Sequence, residues 1–297
     1  MYPAPFGYHR AETVTEAIGL MADIGDGARA LAGGQTLLVW LKMRFDEPTD
    51  LVDLARIPGL NQIESNQNVH IGALTTHALI ARSELARSVP IIADCANGIA
   101  DNQVRSRGTI GGSLAAGDPS CDWPALLHTL DAQIDVQGPD GTRSIDINDF
   151  VEDLYQTALR PAEIITGIRF KPPATGSAGA YCAFKRCAPA YPTASAGVQL
   201  TLGGGNTVED VRVAMGSAGL TPIRAKDAEA ELRGNALTDD VIGKAADAAV
   251  AATDPIDDQR GSMEFKQQIL RTLVKRAIGV AQRRCNGETI ENHHEYY

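Results

Sequence analysis

The chain has 297 residues, of which 44% are hydrophobic, 22% charged and 5% aromatic. This is the make-up of a folded protein rather than a disordered or fibrous one, and the length exceeds what one hydrophobic core usually serves. A formal net charge of −10 repels polyanions, so nucleic acid is not expected as a partner. No apolar run approaches the ~20 residues of a bilayer span. The opening residues Met1-Tyr2-Pro3-Ala4-Pro5 lack the basic-then-apolar order of a secretion signal, so a cytoplasmic protein without a membrane span is expected.

The elements follow in chain order. Val14, Ala17, Ile18, Leu20 and Met21 recur at helical intervals and predict a helix over 14–24. Arg29 to Ala32 is a short apolar strand running into Gly33-Gly34. Leu37, Leu38, Trp40, Leu41 and Met43 then suit a helix stopped by Pro48, and Thr49 to Leu54 is the next strand. Val69 to Leu74 is a further strand, after which Thr75 or Thr76 caps a helix running to Leu85; Pro90 opens another that ends near Asn102. A second glycine-rich segment, Gly108 to Pro119, precedes a helix over Asp122–Leu130. Strands are expected at Ala132–Val136, Thr142–Ile147 and Glu163–Phe170, the first two joined by the turn Pro139-Asp140-Gly141.

Lys171-Pro172-Pro173-Ala174-Thr175-Gly176-Ser177 breaks the pattern and divides the chain into residues 1–175, with lobes of about 1–55 and 56–175, and residues 176–297. The second part is expected to carry strands over 180–186, 195–202 and 208–215, then helices over 223–232, 238–252 and 263–284. Strands followed by helices imply an α+β domain.

The two glycine segments carry the chemistry. Gly33-Gly34-Gln35-Thr36 and Gly111-Gly112-Ser113 leave the backbone open to close approach, and consecutive N–H groups in a turn can hold an anion. One glycine pair alone is an ordinary turn; two, each after a short apolar segment and before a helix, point to one diphosphate held between two loops. No GxGxxG occurs, so the dinucleotide fingerprint is absent. Gly112 to Gly117 copies the glycine spacing of a P-loop, but Asp118-Pro119 stands in the place of its Lys-Ser/Thr. No GxSxG elbow occurs. The five cysteines (Cys95, Cys121, Cys182, Cys187, Cys285) are odd in number and lack a CxxC pair, which suits a reducing compartment and no metal site. His9, His70, His77 and His128 form no metal motif, and no role is assigned to them. His293 and His294 fall in a tail, Glu291 to Tyr297, read as a frayed end.

Ala32-Gly33-Gly34-Gln35-Thr36-Leu37-Leu38 and Arg107-Gly108-Thr109-Ile110-Gly111-Gly112-Ser113-Leu114-Ala115-Ala116-Gly117-Asp118-Pro119 resemble the two flavin-diphosphate loops of the medium, FAD-binding subunit of molybdenum hydroxylases, a family that includes xanthine dehydrogenases and aerobic carbon monoxide dehydrogenase. Gly216 to Ala225 and Leu273 to Ala277 resemble the C-terminal domain of the same subunits. The resemblance implies an α+β fold: a two-lobed FAD-binding domain of the vanillyl-alcohol-oxidase (PCMH) type, then a C-terminal α+β domain. It places the diphosphate against Ala32, Gly33, Gly34, Gln35, Thr36 and Leu37 and against Thr109, Ile110, Gly111, Gly112 and Ser113. It also places Asp122 near the ribityl chain, Ile165 beside the isoalloxazine, Lys185 near the pyrimidine end of the ring, and Tyr191 as an aromatic close to the flavin. A carboxylate can accept hydroxyl hydrogen bonds, and a cation near N1 and O2 stabilises charge on a reduced flavin.

Gln35 stands where the carbon monoxide enzymes of the family usually carry histidine, so noncovalent FAD is expected. The implied function is electron transfer: a small [2Fe-2S] subunit feeds the FAD, an external acceptor empties it, and a large subunit with a molybdenum-pterin cofactor oxidises the substrate, in a dimer of heterotrimers. The alternatives are a free-standing flavoprotein oxidase of the same fold and an assembly subunit without flavin.

Overall fold

A computed structural model describes residues 2–292 and 294–296; His293 and Tyr297 of the expected frayed tail lie outside the described residues. Three main sheets build the fold among the described residues, beside a two-stranded hairpin of Val151–Asp153 and Gln156–Thr157. The first is parallel, with Asp50–Asp53 between Gly7–Arg10 and Ala28–Leu31, and the helix Val14–Ile24 buries Ala17 and Ile18. Thr13 caps this helix by accepting from the Glu16 N–H at 3.1 Å. The second sheet is antiparallel, in the order Ile63–Ser65, Val69–Gly72, Ile164–Phe170, Gln133–Gly138, Gly141–Asp146. Its core continues into helices that bury Ile91, Ile92, Trp123 and Leu126.

The third sheet is built on the long strands Ser177–Lys185, Pro192–Leu202 and Val208–Gly216. Alternation along its first strand divides two cores, because successive side chains of a strand point to opposite faces. Ala180 and Cys182 face the C-terminal helices, where Leu270, Leu273, Val274, Ala277, Ile278 and Ala281 of Met263–Cys285 form one stripe. Tyr181 and Ala183 face the other way, into the core shared with Pro90–Gly98 and Asp122–His128. Among the described residues no helix is long and apolar enough to cross a membrane.

Several elements differ from their sequence pattern. The helix Leu37–Met43 ends well before Pro48 because Arg44 turns into the left-handed region, φ +61°. The helix expected to reach Leu85 breaks at Ser83, whose Oγ donates to Ile80 O at 2.6 Å and accepts from the Ala86 N–H at 3.2 Å, closing one helix and capping Glu84–Ser88. Asp101 likewise starts a separate helix, Asn102–Arg107, by accepting from the Val104 N–H at 2.9 Å. The second glycine segment is not an extended loop: Ile110–Ala115 is a helix, capped by the Thr109 hydroxyl, and both Gly111 and Gly112 lie in its first turn. The described part of the tail is tied down rather than frayed, since the Glu295–Tyr296 backbone pairs with Phe184 and Lys185 and the Asn292 amide donates to Tyr181 O at 2.7 Å.

One buried pair joins the two cores. Arg284, near the end of the last helix, meets Asp94 of Pro90–Gly98 at 2.7 and 2.9 Å in a bidentate contact, with both side chains about 5% exposed or less. Its guanidinium also donates to Gly179 O at 2.7 Å, and the Tyr181 N–H donates to Asp94 at 3.1 Å. A buried charge stripped of its partner is costly. Arg284→Ala should therefore lower the unfolding free energy by ~3–5 kcal/mol, read as a fall in the urea midpoint, while the Arg284→Ala/Asp94→Ala double variant should lose less than the two single losses added together.

Candidate functional site

A cavity of about 480 Å³ opens where the three sheets meet. Ala32, Gly33, Gly34, Gln35, Thr36 and Leu37 line one side, and Thr109, Gly111, Gly112 and Ser113 line the other; Asp122, Ile165, Lys185 and Tyr191 also border it. The structure thus brings together every residue singled out in the sequence except Ile110, which is fully buried in the core beside Leu114 and Trp123.

The two glycine segments touch backbone to backbone. A Cβ on Gly33 would stand 2.1 Å from Arg107 O and 2.9 Å from Gly108 Cα, so any side chain there drives the segments apart. Gly34 follows at φ +73°, a conformation that favours glycine and turns the chain into its helix. The N–H groups of Gly33, Gly34, Gln35 and Thr36 have no protein acceptor among the described residues. In the second segment the amides of residues 110–113 are already engaged, while that of Thr109 has no protein acceptor among the described residues. Those of Ile110 and Gly111 donate to Thr75 O and Ala73 O at 3.1 and 2.9 Å, and those of Gly112 and Ser113 donate to Thr109 Oγ1 and Thr109 O at 3.1 and 3.0 Å. The first segment offers four free amides; the second offers one, on Thr109, and a close-packed wall.

Farther along the cavity, the Tyr181 hydroxyl donates to Asp122 Oδ1 at 3.1 Å. Burial raises the Asp122 carboxyl above the ordinary carboxylate range, while Lys185 and the Tyr181 hydrogen bond act in the opposite direction. Lys185 is fully buried and its Nζ donates to Gly98 O at 2.6 Å. A buried ammonium needs such partners, and here they are a carbonyl and a neighbouring carboxylate. Ile165 sits where Ile164–Phe170 slips register against Gln133–Gly138, a bulge that re-aims the strand beside the cavity. Tyr191 remains 39% exposed, with the Arg260 guanidinium 5.9 Å from its ring centroid; burial, with Cys121 and Asp118 nearby, pushes its hydroxyl up.

Sequence reading missed other residues of the wall, among them Arg29, Trp40, His77, Ala100, Cys121 and Glu163. They come from separate elements and share no spacing. Arg29 pairs with Asp46 at 2.8 Å, and Trp40 meets Tyr155 edge-on with centroids 5.5 Å apart. Burial pushes the Cys121 thiol up to about 12, which keeps it protonated. Burial lowers the His77 imidazole to about 4, which keeps it neutral.

This donor set fits an elongated cofactor with an anionic centre. Four residues with free amides line the cavity at the meeting of the two segments, and a buried cation and carboxylate also border it. The FAD binding domain of molybdopterin dehydrogenases matches residues 4–173, and the C-terminal domain of the CO dehydrogenase flavoprotein matches residues 179–281. The carbon monoxide dehydrogenase medium chain of Afipia carboxidovorans is 40% identical over 96% of this chain and 99% of that protein. The xanthine dehydrogenase FAD-binding subunit of Escherichia coli O157:H7 is 31% identical over 95% and 97%. A solved structure of carbon monoxide dehydrogenase from Hydrogenophaga pseudoflava, lacking the Mo-pyranopterin moiety, superposes with a TM-score of 0.93 at 39% identity, covering 96% of this chain and all of the matched one.

Two outcomes follow from this geometry. A Cβ on Gly112 would lie 2.9 Å from Thr109 Oγ1 and 3.7 Å from Ala32 Cβ, so Gly112→Val should crowd the cavity between the segments. Flavin absorbance per chain should fall while the far-UV circular dichroism stays near wild type. The His77 shift also predicts a pH dependence of stability. Between 6.5 and about 4 the unfolded chain takes up a proton that folded His77 refuses, so stability is complete above about pH 6.5 and declines by roughly 3 kcal/mol towards pH 4. Denaturant unfolding across that range should show the decline, and His77→Gln should flatten it.

Proposed function

Because this chain belongs to the family of FAD-binding medium subunits of molybdenum-containing dehydrogenases, we propose that it receives electrons from a small [2Fe-2S] subunit and passes them to an external acceptor. Substrate oxidation lies in another subunit, here taken as a large chain with the molybdenum-pterin cofactor, in a dimer of heterotrimers within a reducing, cytoplasmic setting. Bound FAD supplies the exchange between one-electron and two-electron transfer. The observation that carries this reading is the row of free amides from Gly33 to Thr36 in a cavity that also holds a buried lysine.

In this reading the amides of Gly33 to Thr36 hold the diphosphate. Gly111, Gly112 and Ser113 form the wall that brings it close to the backbone. Asp122, oriented by the Tyr181 hydroxyl, accepts from ribityl hydroxyls. Lys185, steered by Gly98 O, brings positive charge to the reducible ring, and Ile165 and Tyr191 exclude water from it. Leu38, Val39, Met43 and Phe45 project from the segment around Leu37–Met43, with Phe45 74% exposed, and Tyr155 is exposed beside Trp40. An apolar surface of this kind next to the cavity suits a subunit contact that brings a cluster near the flavin. No histidine stands in the first loop to form a covalent bond, so the flavin is held without one.

Acid precipitation of the purified chain should release the yellow chromophore into the supernatant; colour retained on the polypeptide would rule out noncovalent binding. The electron path is tested by anaerobic flavin reduction with candidate N-heterocycles or aldehydes, first on this chain alone and then with its two partner subunits added. Reduction should require the partners. Rapid reduction of the isolated chain by an organic substrate, free of molybdenum and iron, would instead make it a self-contained oxidase.

A further inference from the structure

His77 begins the helix His77–Ala81, and its backbone N–H donates to Gly108 O at 3.0 Å. Its imidazole is 5% exposed and borders the cavity. The Trp123 indole N–H meets His77 Nδ1 at 3.0 Å. Indole nitrogen can only donate, so Nδ1 must be the acceptor and the ring proton of the neutral imidazole is on Nε2. That nitrogen has no protein partner among the described residues. It lies against Gly108, since a Cβ built on Gly108 would come within 2.8 Å of it. Gly108 is also the residue on which Gly33 packs. An N–H donor without a protein acceptor thus stands at the cavity, on a side chain that is otherwise buried, where the two glycine segments meet.

We propose that His77 is a neutral hydrogen-bond donor to a diphosphate oxygen of the bound FAD, with Trp123 as the positioning residue that fixes its tautomer. This rests on the reading of the cavity as the FAD site. A side-chain donor on this side adds to the single open amide of Thr109, because the second segment spends its own amides of residues 110–113 on Thr75, Ala73 and Thr109. The indole also explains why the donor carries no charge: a proton on Nδ1 would confront the Trp123 N–H, and burial near Arg105 already disfavours the imidazolium. The site gains a donor that does not pair with the surrounding carboxylates.

The test uses the full chain freed of flavin and labelled with 15N-histidine. Before FAD is added, the His77 resonances, identified by their loss in His77→Gln, should show the proton on Nε2. ADP, which carries the diphosphate without the flavin ring, should shift the Nε2 signal as FAD does, and riboflavin should not. In direct titration His77→Leu should weaken FAD binding roughly tenfold to a hundredfold, and His77→Gln, which keeps a donor, should recover part of the loss. An Nδ1–H tautomer, an Nε2 signal unmoved at FAD saturation, a shift produced by riboflavin alone, or unchanged FAD affinity in His77→Leu would each overturn the assignment while leaving the flavin site intact. If the wild-type chain binds no FAD at all, the cofactor reading itself falls, and this inference with it.

Discussion

The contact between Gly33 and the Arg107–Gly108 backbone governs the site. Two segments more than seventy residues apart in sequence approach until the missing Cβ is the only reason they fit. Such an approach positions a strand-to-helix turn against the junction of two helices with no adjustable side chain between them. Gly33 to Thr36, with their amides open, line the cavity because this contact holds their segment against the wall, and the wall is firm because it is a capped helix packed on Ala73.

The two glycine segments use glycine for different ends. In the first, Gly34 supplies a left-handed turn and the amides stay free. In the second, Gly111 is needed for close packing, a Cβ there standing 2.6 Å from that of Ala73, while the amides satisfy the fold's own carbonyls. Backbone polar groups must be paired by something, and the second segment pairs residues 110–113 with protein acceptors. On that side the Thr109 N–H and the His77 ring held by Trp123 remain as the open donors.

The far end of the cavity belongs jointly to both parts of the chain. Tyr181 and Lys185 come from the first long strand of the third sheet, yet their polar ends meet Asp122 and Gly98 O, which lie before residue 171. The bidentate Arg284–Asp94 pair locks the same interface a few residues away, and the Tyr181 N–H on Asp94 links the two arrangements. The last helix thereby bears on the cavity without lining it. A substitution in its final turn would act on flavin binding through Asp94 and Tyr181 rather than by contact.

Much was legible in the sequence because it depends on local chemistry. The apolar period of 14–24 and 263–284 needs only helical spacing, Pro139-Asp140 makes a hairpin wherever it occurs between strands, and paired glycines announce close approach in any context. The break at Ser83 was also local, but its cap sits inside an apolar pattern that reads as continuous, and the helix Asn102–Arg107 that Asp101 caps has only Val104 as an apolar residue to announce it. The tertiary structure alone decided which groups remain free. Gly33 and Gly111 look alike in sequence, and only their neighbours, Arg107 and Ala73, determine that one segment keeps its amides open while the other spends those of residues 110–113. His77 likewise carries no signal in its spacing, because its tautomer is set by an indole forty-six positions along the chain. A hydrogen-bond donor becomes a binding group only when packing has denied it every other acceptor, and that denial is a property of the assembled core rather than of any stretch of sequence.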